Sequence, residues 1–353
     1  MDVRIPRAKS GKAAGDGRPT LKTIAFMTGL GVTTVSRALK DAPEIGEATR
    51  KRVQMVAQQV GYRPNRAGVR LRTGKTNVVS LVLDTDEQIM GFVSDIIYGV
   101  SEALAETPYH LIVTPYSRSR DPMEPVRYIV ETGSADGIII SRLQPDDPRV
   151  RYMSERRFPF ATHGRTDTGL VHPFHDFDNH AFALEAVRAL AARGRTRLAL
   201  VAPPPALTYH HHTLNGFAEG LAETGAVAVP FNATIDNSID QIRAHTAALM
   251  RRANPPDGIV SSAGASTLAV VAGIEDVGFS LGREIDVVSK QSSKLLHLFR
   301  REILVVNEDF RLAGRELATA VMRSIDGADP AGLQSLAVPS GVEGMESETA
   351  ISE

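Results

Sequence analysis

Four side chains within one short stretch, Val32, Thr33, Ser36 and Arg37, carry the plainest chemistry in the chain. On a helix running from Val32 to Leu39 they share a face, because Val35 and Leu39 take the opposite one. Methyl groups suit thymine, hydroxyls suit phosphate, and a guanidinium can reach the acceptor edge of guanine. A face of that composition near a helix start can read the major groove of duplex DNA.

Such a face needs a partner helix and a fixed turn to hold it. Thr20 suits the N-cap of a helix from Leu21 to Thr28, since its hydroxyl can accept from an unpaired amide. Gly29 ends that helix, and Leu30 with Gly31 completes a turn of the length that joins two helices at a steep angle. Val53, Val56, Ala57 and Val60 recur at helical spacing, which predicts a third, supporting helix over Ile45 to Val60, with Arg50, Lys51 and Arg52 crowding one charged end. The next segment, Arg63-Pro-Asn-Arg-Ala-Gly-Val-Arg-Leu-Arg72, is too basic for a packed interior, and Pro64 can open a short helix in it. Leu71 stands alone among arginines. It suits a wedge between base pairs in the minor groove, at an unstacking cost of about a few kcal/mol, or else it is a plain linker residue.

Charge divides the chain the same way. Residues 1–75 hold 16 Lys and Arg against 5 Asp and Glu, and the remainder holds 24 against 36. The formal total of −1 therefore conceals a head of +11, which phosphate attracts, and a body of −12, which phosphate repels.

The segment from Thr20 to Leu71 resembles the headpiece and hinge of the LacI/GalR family of bacterial transcription regulators. The resemblance is carried by Thr20-Leu21, Ile24-Ala25, Thr34-Val35-Ser36-Arg37, Thr49-Arg50, Gly61-Tyr62, Pro64-Asn65-Arg66 and Leu71. It implies base reading by Val32, Thr33 and Arg37, and backbone contacts from Thr20, Thr34, Ser36, Thr49, Tyr62, Asn65 and Arg66. Leu71 becomes the minor-groove lever. The chain departs from the family at Gly31, where a Ser is usual, and at Gly68, where an Ala is usual. A helix-interior glycine costs about 1 kcal/mol relative to Ala, so the hinge is expected to be disordered without operator and to fold on it.

Beyond the hinge, short apolar runs alternate with helical patterns. Strands are predicted at 78–83, 111–114, 137–140, 158–162, 198–202, 258–262 and 285–288, and helices at 92–106, 179–193, 214–223, 238–252, 266–277 and 310–325. The fold class is therefore α/β: an N-terminal all-α helix-turn-helix headpiece plus a body of doubly wound parallel sheets, which the resemblance makes a periplasmic-binding-protein-like pair of subdomains around an effector cleft. The expected divisions are a disordered basic arm at 1–18, the DNA-binding domain at 19–62, the hinge at 63–76, the effector-binding and dimerisation domain at 77–339 and a disordered tail at 340–353.

Doubly wound sheets bind ligands beyond the carboxyl ends of their strands. The polar residues expected there are Asp84, His163, Arg165, Asp178, Tyr209, His212, Lys290 and Gln291, with Thr213 where the family usually has an effector-binding Arg. Ala263-Gly264 replaces a usual Asn-Asp, and Ser289-Lys290-Gln291-Ser292 replaces a usual Gly-Phe-Asp-Asp. The family's habitual pocket is thus rebuilt, with donors suited to sugar hydroxyls or an anionic sugar derivative.

Other chemistries lack their residues. No nucleophile elbow, phosphate loop or paired-His zinc helix occurs, which points away from an enzyme and from any cofactor. His210-His211-His212 has no second cluster at ligand spacing, consecutive residues point in different directions, and His172 and His175 read as partly exposed loop histidines, so no metal is expected. There is no cysteine, no apolar run of membrane-spanning length and no secretory leader pattern, so the expected compartment is the cytoplasm. The expectation is a homodimeric regulator, a repressor of carbohydrate-utilisation genes, that binds double-stranded operator DNA and is switched by a sugar or sugar derivative. Its alternatives are a regulator without a small-molecule effector and a sugar-binding receptor.

Overall fold

The computed structural model describes residues 19–62, 70, 74–84, 91–291 and 295–344, and the chain divides into two compact units between Thr76 and Asn77. The arm at 1–18, the hinge residues Asn65, Arg66, Gly68 and Leu71, and the tail from 345 lie outside the described residues.

Among the described residues, the first unit has three helices: α1 (Leu21–Thr28), α2 (Val32–Ala38) and α3 (Glu47–Gln59). Thr20 caps α1 as expected, accepting from the Thr23 amide at 3.3 Å, while the Thr23 hydroxyl accepts from the Thr20 amide at 3.0 Å. Gly29 ends α1 at φ 67°, a left-handed value that favours glycine. Ile24, Ala25, Val35, Ala38, Val53 and Ala57 form the core, which fixes the steep α1–α2 turn by burying one face of each helix. Both α2 and α3 are shorter than the sequence predicts, because Leu39 and Val60 close the helices as C-caps and Gly46 is the N-cap of α3.

The second unit carries two parallel sheets. In chain order it runs β1 (Val78–Asp84), α4 (Phe92–Leu104), β2 (His110–Tyr116), α5 (Met123–Thr132), β3 (Gly137–Ile140), α6 (Pro148–Glu155), β4 (Phe160–His163), β5 (Phe174–Phe177), α7 (Asn179–Ala192), β6 (Arg197–Val201), α8 (Thr208–Thr224), β7 (Val227–Ala228), α9 (Ile239–Met250), β8 (Gly258–Ser261), α10 (Gly264–Glu275), β9 (Asp286–Gln291), α11 (Leu295–Phe299), β10 (Leu304–Asn307), α12 (Phe310–Ile325) and β11 (Gln334–Ala337). One sheet has the order β11-β5-β4-β3-β1-β2 and the other β10-β9-β8-β6-β7. Strands alternate side chains between two buried faces: in β6, Leu198 and Leu200 pack under α7 while Ala199 and Val201 pack under α9 and α10. Continuous apolar runs therefore mark these strands.

Among the described residues, the chain crosses between sheets three times: from β5 into α7, from β10 into α12, and from β11 to Glu343, whose amide donates to Val305 O at 2.8 Å. That last contact corrects the expected tail, since 340–344 return to the second sheet. Three further expectations change. Tyr209 to His212 sit in the first turn and a half of α8 rather than in a loop, Ser289 to Gln291 lie inside β9, and His172 and His175 are buried.

Candidate functional site

On the head, α2 sorts its side chains as the pattern demands. Val35 and Ala38 are fully buried, while Val32, Thr33 and Arg37 are exposed and Thr34 and Ser36 half-buried. Arg37 lies 3.7 Å from Glu44 with both side chains more than half exposed, a pair that contributes little and leaves the guanidinium available. Thr49 is half-buried in the first turn of α3, and Tyr62 packs against the head core. Arg50 is spent differently: its guanidinium donates to Asp41 O at 3.2 Å and braces the α2–α3 loop, where Asp41 holds φ 52°.

In the body, the carboxyl ends of the strands face a narrow cavity of about 50 Å³. Its first wall comes from Phe92, the β3 end at Ser141, Arg142 and Leu143, the β4 end at His163, Gly164 and Arg165, then Asp176 and Phe310. The second wall comes from Asn179, Thr208, Tyr209, Lys290 and Glu308. The aromatic part is tightly built: Phe92 and Phe310 meet edge to face at 5.0 Å, and the His163 ring lies 5.3 Å from Phe92 and 5.8 Å from Phe310.

The charged part pairs its own members. Lys290 Nζ, buried at the end of β9, lies 2.7 Å from Glu308 and donates to Asn179 Oδ1 at 2.8 Å. The same ammonium stands 5.5 Å from the Tyr209 ring centre. Arg165 lies 3.3 Å from Asp176, whose carboxyl burial pushes up to about 7 against the opposing pull of that guanidinium. Burial, with Lys290 second, holds the His163 imidazole down to about 3, so it is neutral at neutral pH. Its Nε2 is buried without a hydrogen-bond partner among the described residues and belongs to the cavity wall. Burial likewise holds His175 down to about 4.

Of the expected effector residues, the structure brings together His163, Arg165, Tyr209 and Lys290. It does not bring in the others. Asp178 caps α7 by accepting from the Ala181 amide at 3.0 Å, and Thr213 is buried with its hydroxyl donating to Tyr209 O at 2.7 Å. Gln291 donates to Asn307 Oδ1 at 3.2 Å, His212 lies off the cavity wall, and Asp84 pairs with Arg118 and Arg142. Sequence reasoning missed Phe92, Ser141 to Leu143, Asp176, Asn179, Thr208, Glu308 and Phe310. Glu308 and Asp176 follow or occupy four-residue strands, and only the apolar run Ile303 to Val306 could have signalled one of them. Among the described residues, no group of three His, Cys, Asp or Glu side chains could hold a metal ion, and no helix is long and apolar enough to cross a membrane.

Residues 20–65 match the model of bacterial regulatory proteins, lacI family, and residues 187–344 match that of the periplasmic binding protein-like domain. The chain is 30% identical over 319 residues to the HTH-type transcriptional regulator RafR of Escherichia coli, covering 89% of this chain and 94% of that one. It is 29% identical over 328 residues to the HTH-type transcriptional regulator AglR of Rhizobium meliloti, with 86% and 87% covered. Among solved structures, the complex of the transcriptional regulator CelR with cellobiose superposes with a TM-score of 0.66 at 25% identity, covering 91% of this chain and 98% of that one.

Proposed function

The chain belongs to the LacI family of bacterial regulatory proteins, DNA-binding transcriptional regulators without catalytic chemistry, and from that premise we propose that an uncharged sugar in the body cleft switches its operator affinity. The observation that carries the proposal is the charge balance of the cavity. Lys290 is answered by Glu308, Arg165 by Asp176, and Arg142 by Asp84 and Asp236, while His163 is neutral. An anionic derivative would meet the Glu308 carboxylate and cations that already have acidic partners, Asp176 beside Arg165 being about half ionised near pH 7, whereas sugar hydroxyls can both donate and accept among such groups. The Phe92–Phe310 pair and the Tyr209 ring supply apolar surface for the faces of a sugar ring. The solved complex of CelR with cellobiose supports the same ligand class.

On DNA, Val32, Thr33 and Arg37 read bases from the major groove, and Thr20, Thr34, Ser36, Thr49 and Tyr62 contact the backbone. Two copies read the halves of a roughly palindromic operator as a homodimer, which represses transcription. Val93 and Tyr98 on α4 and Ile112 and Val113 on β2 are exposed apolar side chains that support such pairing.

The test is a panel of neutral sugars and sugar phosphates screened by thermal shift, with each hit retested for operator binding. Neutral sugars alone are expected to raise the melting temperature and change DNA affinity. Stabilisation by sugar phosphates only would overturn the charge argument, and no stabilisation by any sugar would leave a regulator without a small-molecule effector.

A further inference from the structure

Arg142, two residues beyond β3, lies in the left-handed region at φ 57°, an unusual conformation for a residue with a side chain. What holds it there is buried. Arg149, almost wholly enclosed on α6, donates to Ser141 O at 3.1 Å and to Arg142 O at 2.9 Å, and its own charge is answered by Asp147 at 2.7 Å. The strained turn aims two groups at the other subdomain. The Leu143 carbonyl accepts from the Thr208 amide at 2.8 Å and from its hydroxyl at 3.1 Å. The Arg142 guanidinium forks onto Asp236, at 2.6 and 3.3 Å.

Asp236 belongs to the second subdomain, on the segment that Thr234 joins to Ala202 beyond β6. It takes a second guanidinium from the first subdomain, Arg118 at 2.6 Å, and both arginines also pair with the buried Asp84 at the end of β1. Two carboxylates and two guanidinium groups thus form one neutral network. Three of its members come from one subdomain and one from the other. Its exposure is partial, 27% for the Arg118 side chain, 20% for Asp236 and 11% for Arg142, so solvent screens it incompletely.

We propose that this network is a latch across the mouth of the cleft, in which Asp236 is the moving bolt and Arg118 and Arg142 are its keeper. Asp84 stays with the arginines when the bolt leaves, so it still answers one of the two positive charges while the other is taken up by solvent, which lowers the cost of opening. The latch joins the subdomains and lengthens the stay of whatever lies behind it. That second consequence rests on the effector reading above, whereas the latch itself rests on four side chains and a braced turn.

The chain has no cysteine, so two introduced ones report alone. Glu124→Cys on α5 and Ala248→Cys on α9 place spin labels at exposed positions of the two subdomains, and their separation is measured in the full chain without sugar, diluted with excess unlabelled chain so that each pair reports within one copy. The expected result is one short separation. Asp236→Asn adds a longer population, with the ratio of short to long falling about tenfold, and Arg118→Gln does the same. Combining the two adds less than the sum of the single effects, because both remove one interaction. A separation unchanged in both variants, with melting like that of the parent chain, overturns the latch. A parent chain whose melting no sugar alters strikes the effector reading instead and leaves the label distances as evidence for the latch.

Discussion

Arg37 and Asp176 show what a single side chain can be asked to do in each half of the molecule. Arg37→Ala removes an exposed guanidinium from the face proposed to read bases, so it is expected to cost about 1–3 kcal/mol at one operator position and little elsewhere. Binding to a set of single-base operator variants checks this, and a uniform loss across all of them would contradict it. Asp176 is a problem of protons. Its folded value of about 7 lies above the ordinary carboxylate value, so its contribution to stability is complete below about pH 4 and is lost as pH rises through about 7. Asp176→Asn removes that loss, and its melting temperature relative to the parent chain is expected to climb between pH 4 and 7. The full excursion is on the order of a few kcal/mol. Flat differences across that range would show that the carboxyl is not desolvated.

At the scale of elements, close helix packing decides more than propensity does. A Cβ on Gly216 of α8 would stand 2.0 Å from His180 O of α7, a backbone atom that no rotamer change can move. Gly216→Ala is therefore expected to cost about 3 kcal/mol by forcing two helices apart. Gly225, which ends α8 at φ 73° with open space around it, should lose only about 1 kcal/mol on the same change. Paired thermal melts distinguish the two.

The same scale shows what could be read from residue order alone. The helices of the head and the long strands of the body were legible, since caps, glycine turns and continuous apolar runs are local signals. β5, with His175 and Asp176 inside it, and β11, reading Gln-Ser-Leu-Ala, carry no such run, because their polar residues are satisfied by neighbours far along the chain. The cleft suffered for that reason. His163, Arg165, Tyr209 and Lys290 stood out as polar residues near strand ends, whereas Asp176, Glu308 and Thr208 matter only through partners more than ten residues away, across a fold. Thr213 and Asp178 looked equally eligible, yet helix phase turns one inward and capping occupies the other.

Over the whole molecule, a sequence isoelectric point near 6.8 hides two electrostatic objects. Phosphate neutralisation by the basic head predicts a steep salt dependence, with DNA affinity falling by about a thousandfold between 50 and 200 mM salt if about six phosphates are contacted. Fluorescence anisotropy across that range measures the slope, and a shallow one would mean that the body's charge opposes docking. The three crossings between sheets set a different condition. β11 pairs with β5 at the edge of the sheet whose first strand is β1, and α12 covers the same sheet, so a subdomain begun at Val78 is not complete until Ala337. On the ribosome the head can finish early, but the sensing half cannot. For the time needed to make the remaining residues, at about 5–20 per second, every nascent copy is a DNA-binding head that has no means of answering a signal.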